Sequence, residues 1–379
     1  MTRSWACAAI VLAAPTSAPA QSRTWTAAFG LDQAWDSNPY FVVTDGPGDR
    51  LHSAHASIGH TRAGRRSALT ATLGGGATIY GDRTSLNSGL FFGTFSASRQ
   101  LSSRTSFSAR ESLSSTRTGQ STVLTEAGLQ LPQSRALTAS GGLQLAHRKS
   151  AVTTLQLDLG HDTARFDFSG LVNGSTYFAS ASLHRRVDAR QSLSASYGAL
   201  GSHTPGRTSL HHTLGVSGQR SVGRAWGASA SLGVARFDGV VNGSPWTFIG
   251  GGSIAGKFRR DSVFASYGRS VGQAFGLGHD RTADNLSSGY TRTLGRRLVL
   301  STSISWVFSS APGRSSFLYR SEYYSGSAHY RLSPHLGVSG GYTRRRSVSP
   351  APAPTVSGDY FGLSMGYGWA SHDRRAATP

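Results

Sequence analysis

The sequence predicts an all-β fold: a single antiparallel transmembrane β-barrel of about eighteen strands, in a range of roughly 16–18, with short periplasmic turns and longer extracellular loops. Three observations carry this reading. Apolar side chains alternate with small or polar ones along almost the whole chain, as they do where successive residues of a strand point to opposite faces. The alternating stretches run ten to fourteen residues, which suits the 9–11 residues of tilted strand that cross a bilayer. The breaks between them take turns at being short and long, the layout of an outer-membrane barrel.

In chain order, residues 1–20 read as a signal peptide. Arg3 gives a positive start, Ala6 to Ala14 is a short apolar stretch, and Ala18-Pro19-Ala20 supplies a small-x-small cleavage site. Cleavage after Ala20 removes Cys7, the only cysteine, so disulfides, cysteine-based zinc sites and iron–sulfur clusters are excluded. Beyond this segment no run approaches the ~18 apolar residues of a transmembrane helix. The barrel is assigned to residues 21–369 and a short tail to 370–379.

Strands are expected near 23–36, 50–62, 66–80, 87–99, 104–117, 134–147, 151–165, 175–186, 190–202, 207–219, 224–237, 245–258, 262–272, 283–294, 297–309, 317–331, 335–347 and 357–369. Leu298, Leu300, Ile304, Trp306 and Phe308 share one face, opposite Ser301, Ser303 and Ser305. Phe361, Leu363, Met365, Tyr367 and Trp369 face away from Gly362, Ser364, Gly366 and Gly368. Short breaks such as Ser102 to Arg104 and Arg259 to Asp261 alternate with long ones at Asn38–Asp49, Thr118–Gln133, Phe166–Gly174, Gln273–Thr282 and Arg346–Ser357. Thr118–Gln133 and Arg346–Ser357 are the candidates to fold inward.

A water-soluble β-sandwich is the main competitor. Its strands average about 5–6 residues, half the length seen here, and its solvent face would carry Lys and Glu rather than Gly and Ser. Small polar residues fit a barrel interior. Trp25, Trp35, Tyr177, Trp246, Trp306, Tyr367 and Trp369 collect toward strand ends, where aromatic girdles sit at the headgroup level of a membrane. Ordinary β-propensity also enriches aromatics in strands, but it does not explain their place at the ends.

An internal repeat is visible. Ala164-Arg165-Phe166-Asp167 followed by Asn173-Gly174-Ser175 returns as Ala235-Arg236-Phe237-Asp238 followed by Asn242-Gly243-Ser244. Four strands separate the copies, so the unit reads as two hairpins. Independent selection of Asn-Gly for tight turns explains the dipeptide and not the flanking tetrapeptide.

Lys and Arg outnumber Asp and Glu 38 to 18, for a net charge of +20. The basic residues are spread over turns and strand ends instead of forming one patch, which argues against a nucleic-acid partner. Basic rims suit phosphates of outer-membrane lipid and lipopolysaccharide, because Arg offers a bidentate fork. A genome composition favouring Arg accounts for the same excess. Arg110, Arg269, Asp32 and Asp158 are the candidate lumen residues that set selectivity.

No catalytic, cofactor or metal site is read from the chain. His211 and His212 project to opposite faces of a strand and cannot chelate one ion. Gly250-Gly251-Gly252 lies within a strand alternation rather than before a helix, so it is no phosphate loop.

Asp36-Ser37-Asn38-Pro39-Tyr40 after the first strand, the loop Leu124-Thr-Glu126-Ala-Gly128-Leu-Gln130-Leu-Pro132, and Arg/Ser-rich turns every two strands together resemble the porin-like outer-membrane β-barrel families of Gram-negative bacteria. Met365-Gly366-Tyr367-Gly368-Trp369 is similar to the terminal strand read by the barrel assembly machinery. The resemblance implies an outer-membrane channel for passive diffusion of small hydrophilic solutes, with anions as the candidate preference. Some such barrels accompany exopolysaccharide export, so an accessory or structural barrel there is the alternative. A lipase-like outer-membrane enzyme is the weakest of the three readings.

Overall fold

The structure, a computed structural model, describes residues 22–41, 48–118, 134–238, 246–311, 317–348 and 355–373. The segment read as a signal peptide, the loop motif Leu124–Pro132, the second Asn-Gly pair Asn242-Gly243, residues 349–354 and residues 374–379 lie outside the described residues.

Two-residue alternation becomes one closed sheet of eighteen antiparallel strands. They are β1 (Ser22–Asp36), β2 (Asp49–Ala63), β3 (Ser67–Tyr80), β4 (Ser88–Gln100), β5 (Thr105–Arg117), β6 (Arg135–Arg148), β7 (Thr153–Phe166), β8 (Gly174–Arg186) and β9 (Gln191–Thr204). The second half comprises β10 (Arg207–Val222), β11 (Trp226–Asp238), β12 (Trp246–Lys257), β13 (Asp261–Ala274), β14 (His279–Leu294), β15 (Leu298–Ser310), β16 (Phe317–Arg331), β17 (Leu336–Val348) and β18 (Val356–Asp373). Each strand pairs with its neighbours in sequence, and β1 closes the ring against β18 from Arg23↔Asp373 to Asp36↔Tyr360. Closure leaves no edge along the β1–β18 seam, so backbone donors and acceptors are satisfied between strands.

Register sorts the side chains into two surfaces. Across β13 to β15, Tyr267, Leu286 and Trp306 stand in one outward row. One residue along, Ser266, Ser287 and Ser305 stand in an inward row. Large apolar groups dominate the outside and stay exposed, with Leu232 at 66% and Phe248 at 72%. Small residues let the inner wall pack against itself. Phe92, Phe178 and Phe264 point inward and lie over Gly74, Gly160 and Gly289 of neighbouring strands, where an added Cβ would collide with the rings.

Buried side chains gather at the end of the barrel that carries the long loops. One cluster joins Ala34, Leu51, Tyr80 and Leu86 with Tyr40 and Tyr360. Asp49 fastens the loop after β3 by accepting backbone N–H bonds from Asp82 and Arg83, at 3.1 and 2.8 Å.

The structure departs from the expected boundaries in three places. Gln273–Thr282 is no long loop: β13 continues to Ala274 and β14 begins at His279, leaving a tight hairpin tip. The terminal strand does not stop at Trp369 but pairs with β1 as far as Asp373, so the tail assigned to 370–379 is partly strand. The β9–β10 connection at the loop end is only Pro205-Gly206, with Gly206 at φ +80. Of the repeat, the described parts place Phe166 near the end of β7 and Phe237 near the end of β11, both buried.

Candidate functional site

The lumen and its mouth form the site, and the mouth is shaped by the β13–β14 hairpin. The β12–β13 ladder runs from Lys257↔Ser262 only to Gly250↔Arg269. Above it, Trp246 to Ile249 pair with β11, while Ser270 to Ala274 pair with β14. Gly250 adopts φ +148 where the strands part, a region that essentially only Gly occupies. β14 likewise pairs with β15 only up to Thr282↔Ser310. The freed tip crosses the opening. Val172 in the β7–β8 loop and Gly276 at the tip exchange backbone N–H···O bonds of 2.9 and 3.1 Å.

Polar contacts hold both faces of this hairpin. On one face Asp280 is 4% exposed and meets the inner walls of β9 and β10. Its Oδ1 accepts from Ser202 Oγ at 2.9 Å, Ser209 Oγ at 2.9 Å and His211 Nε2 at 3.2 Å. Its Oδ2 pairs with Arg207 Nη2 at 3.2 Å. Phe237 packs edge-on against the His211 ring, 4.6 Å between centroids. On the other face Arg281 Nη1 donates to Ser309 Oγ at 2.9 Å and to the Tyr319 hydroxyl at 2.5 Å. A buried carboxylate is stable only when its lone pairs are met, and here four groups meet them. Across the mouth, Asp36 Oδ2 holds Arg345 Nη2 at 2.8 Å beside the Phe41 ring.

Below the mouth, hydroxyl pairs line the lumen on both halves of the barrel, with Ser53–Thr78 and Ser114–Thr138 on β2–β3 and β5–β6 at 3.0 and 2.8 Å. On β9 to β18 serine hydroxyls pair across strands: Ser194 with Ser217, Ser229 with Ser253, Ser266 with Ser287 and Ser303 with Ser325, all at 2.7–2.8 Å. On β1 to β8 the inward rows also carry charge. Asp32 lies 3.4 Å from His55 Nδ1, and Asp158 accepts from Gln144 at 3.0 Å and Gln156 at 2.9 Å. Arg110 stands exposed on the inward row of β5, with no ion-pair partner among the described residues.

Asp32, Asp158 and Arg110 therefore sit on lumen rows, and Arg269 does not. It shares the outward row of Tyr267, and Tyr267 and Arg269 both contact Asp284 there, at 2.6 and 3.4 Å. The alternation of β13 is ambiguous because Phe264 and Tyr267 are both aromatic yet face opposite ways. Trp25, Tyr367 and Trp369 form an outward band at the short-turn end, and Trp35, Tyr177, Trp246 and Trp306 another at the loop end. His211 and His212 do part: His211 is buried inside, and His212 faces out against the Tyr197 hydroxyl at 2.8 Å. His161 also faces out, 3.4 Å from Glu111 across Gly141.

Sequence reasoning missed Asp280 and Arg281, which are 78 and 28 positions from Ser202 and Ser309; no local pattern links such partners. It placed the basic residues on turns and strand ends but not the end of the barrel at which they gather. Arg65, Arg66, Arg104, Lys149, Arg190, Arg224, Arg259, Arg260, Arg296 and Arg297 occupy seven of the eight short turns, against Asp188 alone among the acids. Among the described residues no group of His, Cys, Asp or Glu is arranged to hold a metal ion.

No protein-family model matches the chain, and no curated protein does. Solved structures do match in fold. The outer membrane protein opdK of Pseudomonas aeruginosa is 12% identical, with 92% of this chain and 99% of that chain covered and a TM-score of 0.53. OccK9 (OpdG) of the same organism is 14% identical over 92% and 98%, TM-score 0.52. OccK2 (OpdF), solved in complex with glucuronate, is 13% identical over 93% and 98%, TM-score 0.51. At such identities the likeness is one of fold.

Proposed function

We propose that the protein is an outer-membrane channel through which small hydrophilic solutes diffuse passively, with a bias toward anions. The observation that carries this is the lumen: an eighteen-strand barrel is wide enough for an aqueous path, and this one is lined by paired hydroxyls with charged side chains among them. A solute entering gives up part of its hydration, and paired serines replace it with donors and acceptors that reorient easily. Arg110 attracts anions inside, and the arginines of the short turns enrich them at the periplasmic end. The hairpin across the mouth makes the narrowest passage and sets the size limit. The relative solved with glucuronate supports a small acidic solute as a substrate class for this chain also.

The membrane setting rests on the exposed apolar outer surface and its two aromatic bands. Residues 1–20 supply the export signal, and the β18 aromatics engage the assembly machinery. Outward Arg320, Arg344 and Arg346 near the loop end meet lipopolysaccharide phosphates.

Planar-bilayer recordings test the proposal. Stepwise current with a reversal potential favouring chloride over potassium is expected; a barrel that inserts without any steps overturns it. The basic periplasmic rim also favours a second reading, an accessory barrel in acidic exopolysaccharide export. That reading predicts loss of polymer secretion, with unchanged uptake of small solutes, in a deletion strain.

A further inference from the structure

We infer that the parted seam between β12 and β13 is a lateral portal, by which small amphiphiles with an apolar chain and a hydrogen-bond-accepting head pass between the vestibule and the outer leaflet. The inference takes from the proposed function only that the barrel sits in a membrane.

Three observations meet at this place. The first is the wall itself. Above Gly250↔Arg269 no ladder joins β12 to β13, and among the described residues no other strand takes the place of β13 beside Trp246 to Ile249. The hairpin that would complete the wall has turned inward to Val172 and Asp280's partners on β9 and β10. Gly250 at φ +148 keeps the parting in the chain geometry, since a side chain there would oppose it.

The second is the surface outside the gap. Phe248, the outward residue beside the parting, is 72% exposed, and Leu232 on the next strand is 66% exposed. Between them and Tyr267 the outward positions of β12 are Gly250 and Gly252, so a furrow free of side chains leads along the wall to the gap. Apolar flanks around a narrow furrow suit a single alkyl chain.

The third is a cation at the foot of the gap. Arg269 belongs to the last pair of the ladder, faces outward, and shares Asp284 with Tyr267. Its side chain is 38% exposed although Nη1 is engaged with Asp284, so part of the guanidinium is open to the outside. Arg is donor-only, so the group that completes it is an acceptor, such as a carboxylate. An amphiphile arriving from the leaflet brings its head to Arg269 at the foot of the gap and its chain along Phe248. Its polar end then enters the vestibule beside Arg281.

Phe248 and Val271 would stand opposite each other if the ladder continued two residues further. In a C7S background, the F248C/V271C variant is expected to form no disulfide under oxidant, and a bismaleimide of sufficient span is expected to join the two cysteines. Rapid disulfide formation overturns the portal, because it shows a closed wall. In bilayers, dodecanoate added on the loop side is expected to block the chloride current, and acetate is not. Bismaleimide closure should abolish that block and leave the chloride current unchanged. A block that survives closure, or no block before it, overturns the inference. Absence of any current instead defeats the channel reading, and the disulfide arm then still decides whether the seam is open.

Discussion

Asp280 on β14 holds Nε2 of His211 on β10 at 3.2 Å, although β11, β12 and β13 lie between the two strands along the wall. The contact exists only because the β13–β14 hairpin spans the interior. Because His211 Nε2 faces a carboxylate, the proton on that nitrogen is the one the geometry requires.

Removing this anchor should free the hairpin. In Asp280→Ala, Arg207 and His211 lose their acceptor, and breaking a buried pair from one side costs about 3–5 kcal/mol. The loss is local, so protease cleavage at 275–278 should quicken and single-channel conductance should rise. Unchanged conductance with a cleavable tip would mean that the hairpin is not the narrowest passage.

Arg110 should carry the ion preference of the lumen. Arg110→Ala is expected to move the reversal potential toward cations in a potassium chloride gradient, and Arg110→Glu to move it further. The effect should shrink at 1 M salt, where the screening length is about 3 Å. Arg269→Ala, on the outer face, should leave the reversal potential where it was; a shift as large as that of Arg110→Ala would put its side chain in the lumen after all.

Gly250 is the backbone position on which the parting depends. Gly250→Ala forces a methyl-bearing residue toward φ +148, at a cost of about 1–3 kcal/mol. Gly268, across the ladder, has nothing within 4 Å of an added Cβ, so Gly268→Ala should stay within about 0.5 kcal/mol. Urea unfolding of both variants in lipid vesicles measures the difference, and equal midpoints would remove the strain from the account.

The two surfaces of one strand offer a test of the membrane setting. Leu232 points outward at mid-height of β11, and Ser231 points to the lumen. Leu232→Arg should cost about 2–4 kcal/mol in a bilayer, as lipid-facing Arg does at the midplane, and Ser231→Arg should cost far less while reducing conductance. If the two unfold at the same urea concentration in vesicles, the outer face of β11 is not in hydrocarbon.

The sequence by itself determined the barrel fold, a count of about eighteen strands, most strand positions and the face of most residues. Side-chain direction in a strand has period two, so a local pattern such as Leu298 to Phe308 against Ser301 to Ser305 carries its own orientation. Where that pattern is ambiguous, as around Phe264 and Tyr267, the sequence put Arg269 on the wrong surface, and only the ladders to β12 and β14 decide it. The site at the mouth was illegible for a different reason. Asp280 with Ser202 and His211, or Arg281 with Tyr319, are contacts over the inner surface between strands that are not neighbours, and no periodicity encodes them. The Gln273–Thr282 segment has the polar, Gly-rich composition of an exposed loop, yet it folds inward because its Asp and Arg find buried partners there. The tertiary structure also explains the +20: much of it is a ring of arginines on the short turns, brought to one end by the up-and-down path of the chain. Composition sums charge, and only closure of the barrel assigns it a side.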